Sequence, residues 1–236
     1  MKKTILSLSL ALVLFSCNKK DNATIDANAD KKFDAYKEYF VEGLWKLYPD
    51  WAANQGYHKY DSVLIIPNAE NQKHVLNVSK IQLDSLAKYN LESLSDNNKT
   101  DYYMIKNLLE SSIFTINEVK SSAWNPSNYN VCGAFSEILN GNYDSLDNRL
   151  RNFNLKMNNI PAYYEAAKEN IKNPTAEHTA LAIAQNLGGI SVFEVDLKTA
   201  LEKSKLDADE KAAMLTKAKL SIRAIQDYAS WLQKLE

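Results

Sequence analysis

DNNKTDYYMIKNLLESSIFTINEVKS, residues 96–121, is the stretch that decides the fold class. Its apolar members Tyr102, Ile105, Leu109, Ile113 and Ile116 recur every three or four positions. That spacing puts them on one face of an α-helix and leaves the polar residues on the other. Ser95, just before it, is a good N-cap, because its hydroxyl can accept from one of the unpaired N–H groups of the first turn.

The same rhythm extends in both directions. Upstream, residues 31–47 carry Phe33, Tyr36, Phe40, Leu44 and Leu47 on one face, and residues 70–89 carry Val75, Val78, Leu83 and Leu86. Between them Pro49 suits the first turn of a short helix to Gln55, which Gly56 can end, and residues 59–67 read as a loop. Downstream, the aromatic loop Trp124-Asn125-Pro126-Ser127-Asn128-Tyr129 stops the long helix. Short helices are predicted over 132–139, over 146–157 with Ser145 as cap, and from Pro161 to just before Pro174. Residues 175–203 form a long, small-residue-rich segment in which Gly188-Gly189 marks a kink or a close helix approach.

In the last helix Asp207 is an acidic N-cap with Glu210 at the third position, a variant of the capping box. Its stripe of Met214, Ala218, Ile225, Tyr228, Leu232 and Leu235 meets no Gly, Asn or Pro stop. Two readings stand for it: a docked C-terminal helix, or a face that continues or needs a partner. With no alternating strand pattern, no fixed-period repeat and no second boundary, the chain is predicted to be all-α. The expected architecture is an irregular multi-helix array in a single domain over 31–236.

The N-terminus carries a different message. Met1-Lys2-Lys3-Thr4 is a positively charged start, residues 5–15 are an apolar run, and Ser16-Cys17 follows. That order is a secretory signal over 1–16, too short to be a stable membrane span. Leu14-Phe15-Ser16-Cys17 resembles the lipobox of bacterial lipoprotein signals, which implies lipidation of the Cys17 thiol and cleavage before it; the alternative is an ordinary secretory peptide ending in a cysteine. Two or three acyl chains anchor firmly where one holds marginally, since each buried methylene contributes roughly 0.8 kcal/mol. Residues 17–30 are polar and read as a flexible tether. Asn18 stands where an aspartate typically retains lipoproteins in an inner membrane, so the expectation is an outer-membrane anchor in the cell envelope.

Cleavage removes Lys2 and Lys3 and takes the formal charge from −1 to −3. No segment gathers Lys and Arg densely, which argues against nucleic acid and polybasic lipid binding. Once Cys17 is lipidated only Cys132 remains, so no internal disulfide is expected, and Cys132 reads as a small buried apolar residue. Asn77-Val78-Ser79 and Asn98-Lys99-Thr100 fit a glycosylation sequon by chance.

Catalytic motifs are lacking. The three histidines have no metal-binding spacing, and Glu177-His178 lacks a second histidine one turn on. There is no phosphate-cradling glycine loop, nucleophile elbow or paired-cysteine motif. Asp207, Asp209 and Glu210 read as helix-start charges that favour the dipole. No catalytic, cofactor-binding or metal-ligating residue is therefore assigned.

The densest segment is LYPDWAANQGYHKYD, residues 47–61. On physical grounds Gly56 permits a positive φ, while His58, Tyr60 and Asp61 tie the loop down by hydrogen bonds. The other reading points His58 and Asp61 into a cleft, where they touch substrate. This segment resembles the N-terminal signature of a bacterial family known as domain of unknown function 885. The matching positions are Tyr48-Pro49, Ala52, Gly56, His58, Tyr60-Asp61 and Leu64. The resemblance continues through Trp124-Asn125-Pro126, Asn148-Arg149-Leu150 with Pro161, residues 167–174, a threonine-rich helix start, and residues 185–193.

The resemblance implies more than the residues do. Family members are typically more than twice this length, are often lipoproteins, and resemble helical zinc metallopeptidases whose His-Glu-x-x-His motif lies in the C-terminal half. This chain stops before that half, so its zinc ligands and catalytic glutamate match no position here, and zinc is expected only in full-length relatives. Two functions follow. One is the N-terminal, non-catalytic part of such a hydrolase, from a truncated gene or a fragment, with the missing C-terminal half as partner. The other is a complete helical binding module whose tyrosines (13 in all) present a surface to a peptide-like ligand or glycan.

Overall fold

The computed structural model describes residues 27–235; the signal, Cys17 and the tether up to residue 26 lie outside the described residues. Helix α1 spans Ala27–Leu47. Its start corrects the expectation that the tether runs to residue 30. Asp30 is why: its Oδ1 accepts from the Ser95 amide and from Asn98 Nδ2, both at 2.9 Å, and so fastens the first turn of α1 to a distant helix start. The Ser95 amide, with Asn98 beside it, holds the Asp30 carboxyl below the usual carboxylate range.

Helix α2 (Pro49–Asn54) and a 3-10 turn (His58–Tyr60) follow, then α3 (Ala69–Leu86) and α4 (Asp96–Phe114). Ser95 caps α4 as expected, its Oγ accepting from the Asn98 amide at 3.4 Å, and Asn68 caps α3, its Oδ1 accepting from the Asn71 amide at 2.8 Å. Helices α1, α3 and α4 enclose an apolar cluster of Phe33, Tyr36, Phe40, Leu86, Leu94, Ile105 and Leu109. Tyr89, expected to close the third helix, lies beyond its end and sets its ring edge-on to Phe33, 5.0 Å between centroids.

The long helix predicted to Ser121 stops being an α-helix after Phe114. Thr115–Val119 is one π-helical turn, and Lys120 follows at φ 51°, in the left-handed region. The wide turn re-aims the chain into α5 (Ser121–Trp124). There Trp124 Nε1 donates to the Val119 carbonyl at 2.9 Å, and Asn125 Oδ1 accepts from the Ser127 amide at 3.0 Å. The Trp124-Asn125-Pro126 motif is thus a structural corner.

Helices α6 (Cys132–Asn140), α7 (Leu146–Lys156), α8 (Ile160–Asn170), α9 (Ala176–Gly189), α10 (Leu197–Lys203) and α11 (Ala208–Gln233) surround a second, larger cluster. At its centre the rings of Phe135, Phe153 and Phe193 lie 4.7–5.6 Å apart by centroid, all at most 1 % exposed. The segment predicted as one long helix over 175–203 is broken after Gly189, and Val192–Asp196 is a second π-helical turn before α10. Gly189 marks a close helix approach. A Cβ there would lie 2.4 Å from Cys132 Cβ and 2.5 Å from its Sγ, so α9 and α6 touch at this point without room for a side chain. Asp207 caps α11 through the Glu210 amide at 2.8 Å, and Met214, Ala218, Ile225, Tyr228 and Leu232 of the predicted stripe are buried, whereas Leu235 lies past the end of the helix and is exposed. No strand occurs among the described residues; the chain is an all-α multi-helix array.

Candidate functional site

Residues 48–61 fold as a clasp built on short-range geometry. Pro49 is buried at the first turn of α2, where its missing N–H costs nothing. Gly56 adopts φ 81°, and the Tyr57 amide turns back to donate to the Ala52 carbonyl at 2.8 Å. Beyond it three side chains converge on Glu42 of α1: the Tyr57 hydroxyl at 2.6 Å, the Tyr60 hydroxyl at 2.5 Å and Lys59 Nζ at 2.6 Å. With Lys59 foremost, these donors hold the Glu42 carboxyl down at about 2. Tyr48 packs edge-to-face on Trp51, and burial pushes its phenol up.

Acid should loosen this clasp. A carboxyl whose folded value lies near 2 against an ordinary 4.5 contributes its stabilisation in full above pH 4.5 and loses it as the pH falls toward 2. Thermal melts between about pH 5 and pH 2 should therefore show a fall in wild type that Glu42→Gln flattens, modest because the pair is solvent-screened. Parallel curves would refute the assignment.

The other side of the clasp holds the candidate site. Asp61, 1 % exposed, accepts from His58 Nδ1 at 3.1 Å and from the Tyr143 hydroxyl. The His58 and Tyr143 rings stack, 3.3 Å between centroids and 2° from parallel. The imidazole is therefore fixed in position and orientation, and its Nε2 has no hydrogen-bond partner among the described residues. A cavity of about 250 Å³ opens beside it, walled by Ala53, Asn54, His58, Asp61, Glu137, Ile138 and Tyr143.

Helix α6 supplies the opposite wall. Partial burial, with Asp50 and Asp61 nearby, raises the Glu137 carboxyl. The end of α6 is held by buried Arg149, whose Nη1 donates to the Ile138 and Leu139 carbonyls at 2.7 Å each, satisfying groups the helix leaves open. Gly141 then lets the chain fold back, since a Cβ there would lie 2.5 Å from the Tyr143 ring. From α7, Lys156 runs through the core at 2 % exposure and ends on Asp50 of α2.

The signature residues are thus divided. His58 and Asp61 both tie the loop and line the cavity, so the two readings of them are compatible. Tyr60 faces away to Glu42, and Tyr48, Pro49 and Gly56 shape the backbone. Tyr143, Glu137, Asp50 and Lys156 were not singled out in sequence. Lys156 could have been: it sits three residues after Phe153 on the apolar stripe of α7. Nothing local pairs Tyr143 with Asp61, 82 positions away. The other histidines lie elsewhere, His74 exposed on α3 and His178 joined to Thr175 Oγ1 at 2.7 Å. Among the described residues no three His, Cys, Asp or Glu side chains are placed to hold a metal ion, so the donor set does not fit zinc.

The profile of the family described as bacterial protein of unknown function (DUF885) matches residues 49–236, a span that opens on the signature helix. The chain belongs to the DUF885 family. A similar solved structure is a candidate lipoprotein of unknown function from Shewanella oneidensis, with TM-score 0.83 and 42 % identity. The match covers 86 % of this chain but 37 % of that one, so this DUF885 chain spans well under half the length of its structural relative. No curated protein matches it.

Proposed function

We propose that this DUF885 protein is a lipid-anchored component of the cell envelope, tethered through Cys17, and that its helical body is a non-catalytic wall of the substrate cleft in a larger, metallopeptidase-like hydrolase. The observation that carries the reading is the cavity beside His58. Two signature residues, His58 and Asp61, border it together with Tyr143 and Glu137 from the other side of the fold. A buried carboxylate that fixes an imidazole by one ring nitrogen leaves the other free to meet a ligand. A loop needed only for folding has no use for that free nitrogen at an open cavity. The relative from Shewanella oneidensis supports the lipid anchor, since it is described as a candidate lipoprotein, and its long stretch of chain outside the shared part leaves room for a larger protein. Zinc would belong to that outer stretch.

Outer-membrane placement follows from Asn18 after the cysteine. No described helix is long and apolar enough to cross a membrane. The alternative, a self-sufficient binding module for a peptide-like ligand, uses the same cavity without chemistry.

Three observations test the proposal. Labelling with an acyl probe in a diderm host should mark wild type and leave Cys17→Ser unlabelled and released from the membrane; a labelled Cys17→Ser protein refutes the anchor. The purified chain should hydrolyse no peptide, whereas stoichiometric zinc with chelator-sensitive peptidase activity would overturn the non-catalytic assignment. A downstream reading frame containing His-Glu-x-x-His favours the hydrolase, and its absence in all frames favours the module.

A further inference from the structure

From Thr179 to Phe193 the sequence has no Asp, Glu, Lys or Arg, in a chain that is 24 % charged. Half of that stretch points inward. Thr179, Ala182 and Asn186 are buried against the core. The other half faces solvent: Ala180, Leu181, Ala184, Leu187, Gly188 and Ser191 are all exposed, Leu181 at 45 % and Leu187 at 41 %. Ala180, Ala184 and Gly188 recur every fourth residue, so they form one shallow furrow along α9, with the two leucines as its ridges. A Cβ at Gly188 would meet nothing within 4 Å, so the furrow is open. By contrast the outward face of α11 is lined by charged and polar groups such as Lys219, Arg223 and Asp227.

A solvent-facing helix side with no charge over three turns matches a surface that a second helix covers. The occupant follows from length. The shared part is 37 % of the Shewanella relative, so nearly two-thirds of that chain lies outside it and is long enough to supply a covering helix. A segment joined in the same polypeptide reaches such a face at a far higher effective concentration than any free partner.

We infer that the outward face of α9 is the seat of an apolar helix from the polypeptide that longer DUF885 members carry outside the shared part. The inference rests on the reading that this chain corresponds to one portion of a larger protein. The small residues let the two axes approach closely, and Leu181 and Leu187 fill the grooves of the incoming helix.

The test uses two intact proteins. In this chain Ala184→Glu should leave the melting temperature unchanged within about 1 °C, because the position is solvated. In the full-length Shewanella relative, glutamate at the position aligned with Ala184 should lower it by roughly 5 °C or more, since a charge would be buried without a partner. Should that variant not accumulate, serine at the same position is read in its place and should give a smaller fall. Glutamate aligned with Leu220 on α11, 51 % exposed here, is the control and should have little effect. An unchanged relative, or equal losses at both positions, overturns the inference. So does a dimer of this chain that Ala184→Glu dissociates, which would make a second copy the occupant. Peptidase assays of the relative judge the hydrolase reading separately, and the docking result stands or falls without them.

Discussion

Gly189→Ala should destabilise the protein by roughly 2–3 kcal/mol, a fall of about 5–10 °C in melting temperature. The ordinary effect of this substitution in a helix has the opposite sign, since alanine is favoured over glycine by about 1 kcal/mol. Sterics reverse it. The new methyl would lie 2.4 Å from Cys132 Cβ and 2.5 Å from Sγ, inside any real carbon contact, and Cys132 is 4 % exposed with nowhere to go. The neighbouring Gly188 is the internal control: its Cβ would be unopposed, so Gly188→Ala should stabilise by up to about 1 kcal/mol. The partner can be identified as well. Cys132→Ala keeps the Cβ and should not relieve Gly189→Ala, whereas Cys132→Gly removes both offending atoms and should recover part of the loss. Urea unfolding of the two double mutants decides it. Equal behaviour of Cys132→Ala and Cys132→Gly would show that the contact is not the cause. Oxidative chemistry is a poor rival explanation, because burial pushes the Cys132 thiol up to about 11.

The same pair of helices shows what could be read in advance. Gly188-Gly189 in a helical segment signals a kink or a close approach, and the structure has the close approach, at Gly189. What the sequence could not say is which helix comes close, because Cys132 lies 57 positions away. Helix type was legible for a simple reason: periodicity is local, and α1, α4 and α11 each carry an apolar residue every three or four positions. Both π-helical turns escaped it, since Thr115–Val119 and Val192–Asp196 keep an apolar rhythm close to that of an α-helix. The start of α1 escaped for a different reason. Ala27 to Asp30 look like tether by composition, and only a tertiary bond from Asp30 to the start of α4 makes them helix. The candidate site was half legible. His58 and Asp61 are three residues apart and announce themselves, while Tyr143 and Glu137 arrive through folding alone. Lys156 lies between these cases: a lysine on a buried stripe is a local anomaly, though its partner Asp50 is not local.

Asn186→Ala should cost about 3 kcal/mol, and the loss should spread to the candidate site. Asn186 is fully buried on the inner face of α9. Its Oδ1 accepts from the Tyr164 hydroxyl at 2.6 Å, and its Nδ2 donates to the Tyr129 carbonyl at 3.0 Å and the Ala182 carbonyl at 2.9 Å. Ala182 keeps its helical bond when the amide is removed. The Tyr129 carbonyl and the Tyr164 hydroxyl proton do not, and each buried group left unpaired costs roughly 1–3 kcal/mol. Tyr164→Phe removes the hydroxyl and empties the Asn186 acceptor, and the Val131 amide loses only a long, weak bond of 3.4 Å, so it should cost less. Asn186→Asp should be worst. It keeps the shape but sets a carboxylate oxygen against the Tyr129 carbonyl with no donor between them. The expected order of loss is Asp, then Ala, then Tyr164→Phe, read as midpoints of urea unfolding; a Tyr164→Phe loss as large as that of Asn186→Ala would contradict it. The functional consequence follows from position in the chain. Asn186 holds residues 129–131, which launch α6, and α6 carries Glu137 and Ile138 to the wall opposite His58. A protein that survives Asn186→Ala should therefore show altered His58 ring resonances at constant pH, although the two side chains share no contact. Unchanged resonances would mean that α6 is held in place by Arg149 and the phenylalanine cluster alone.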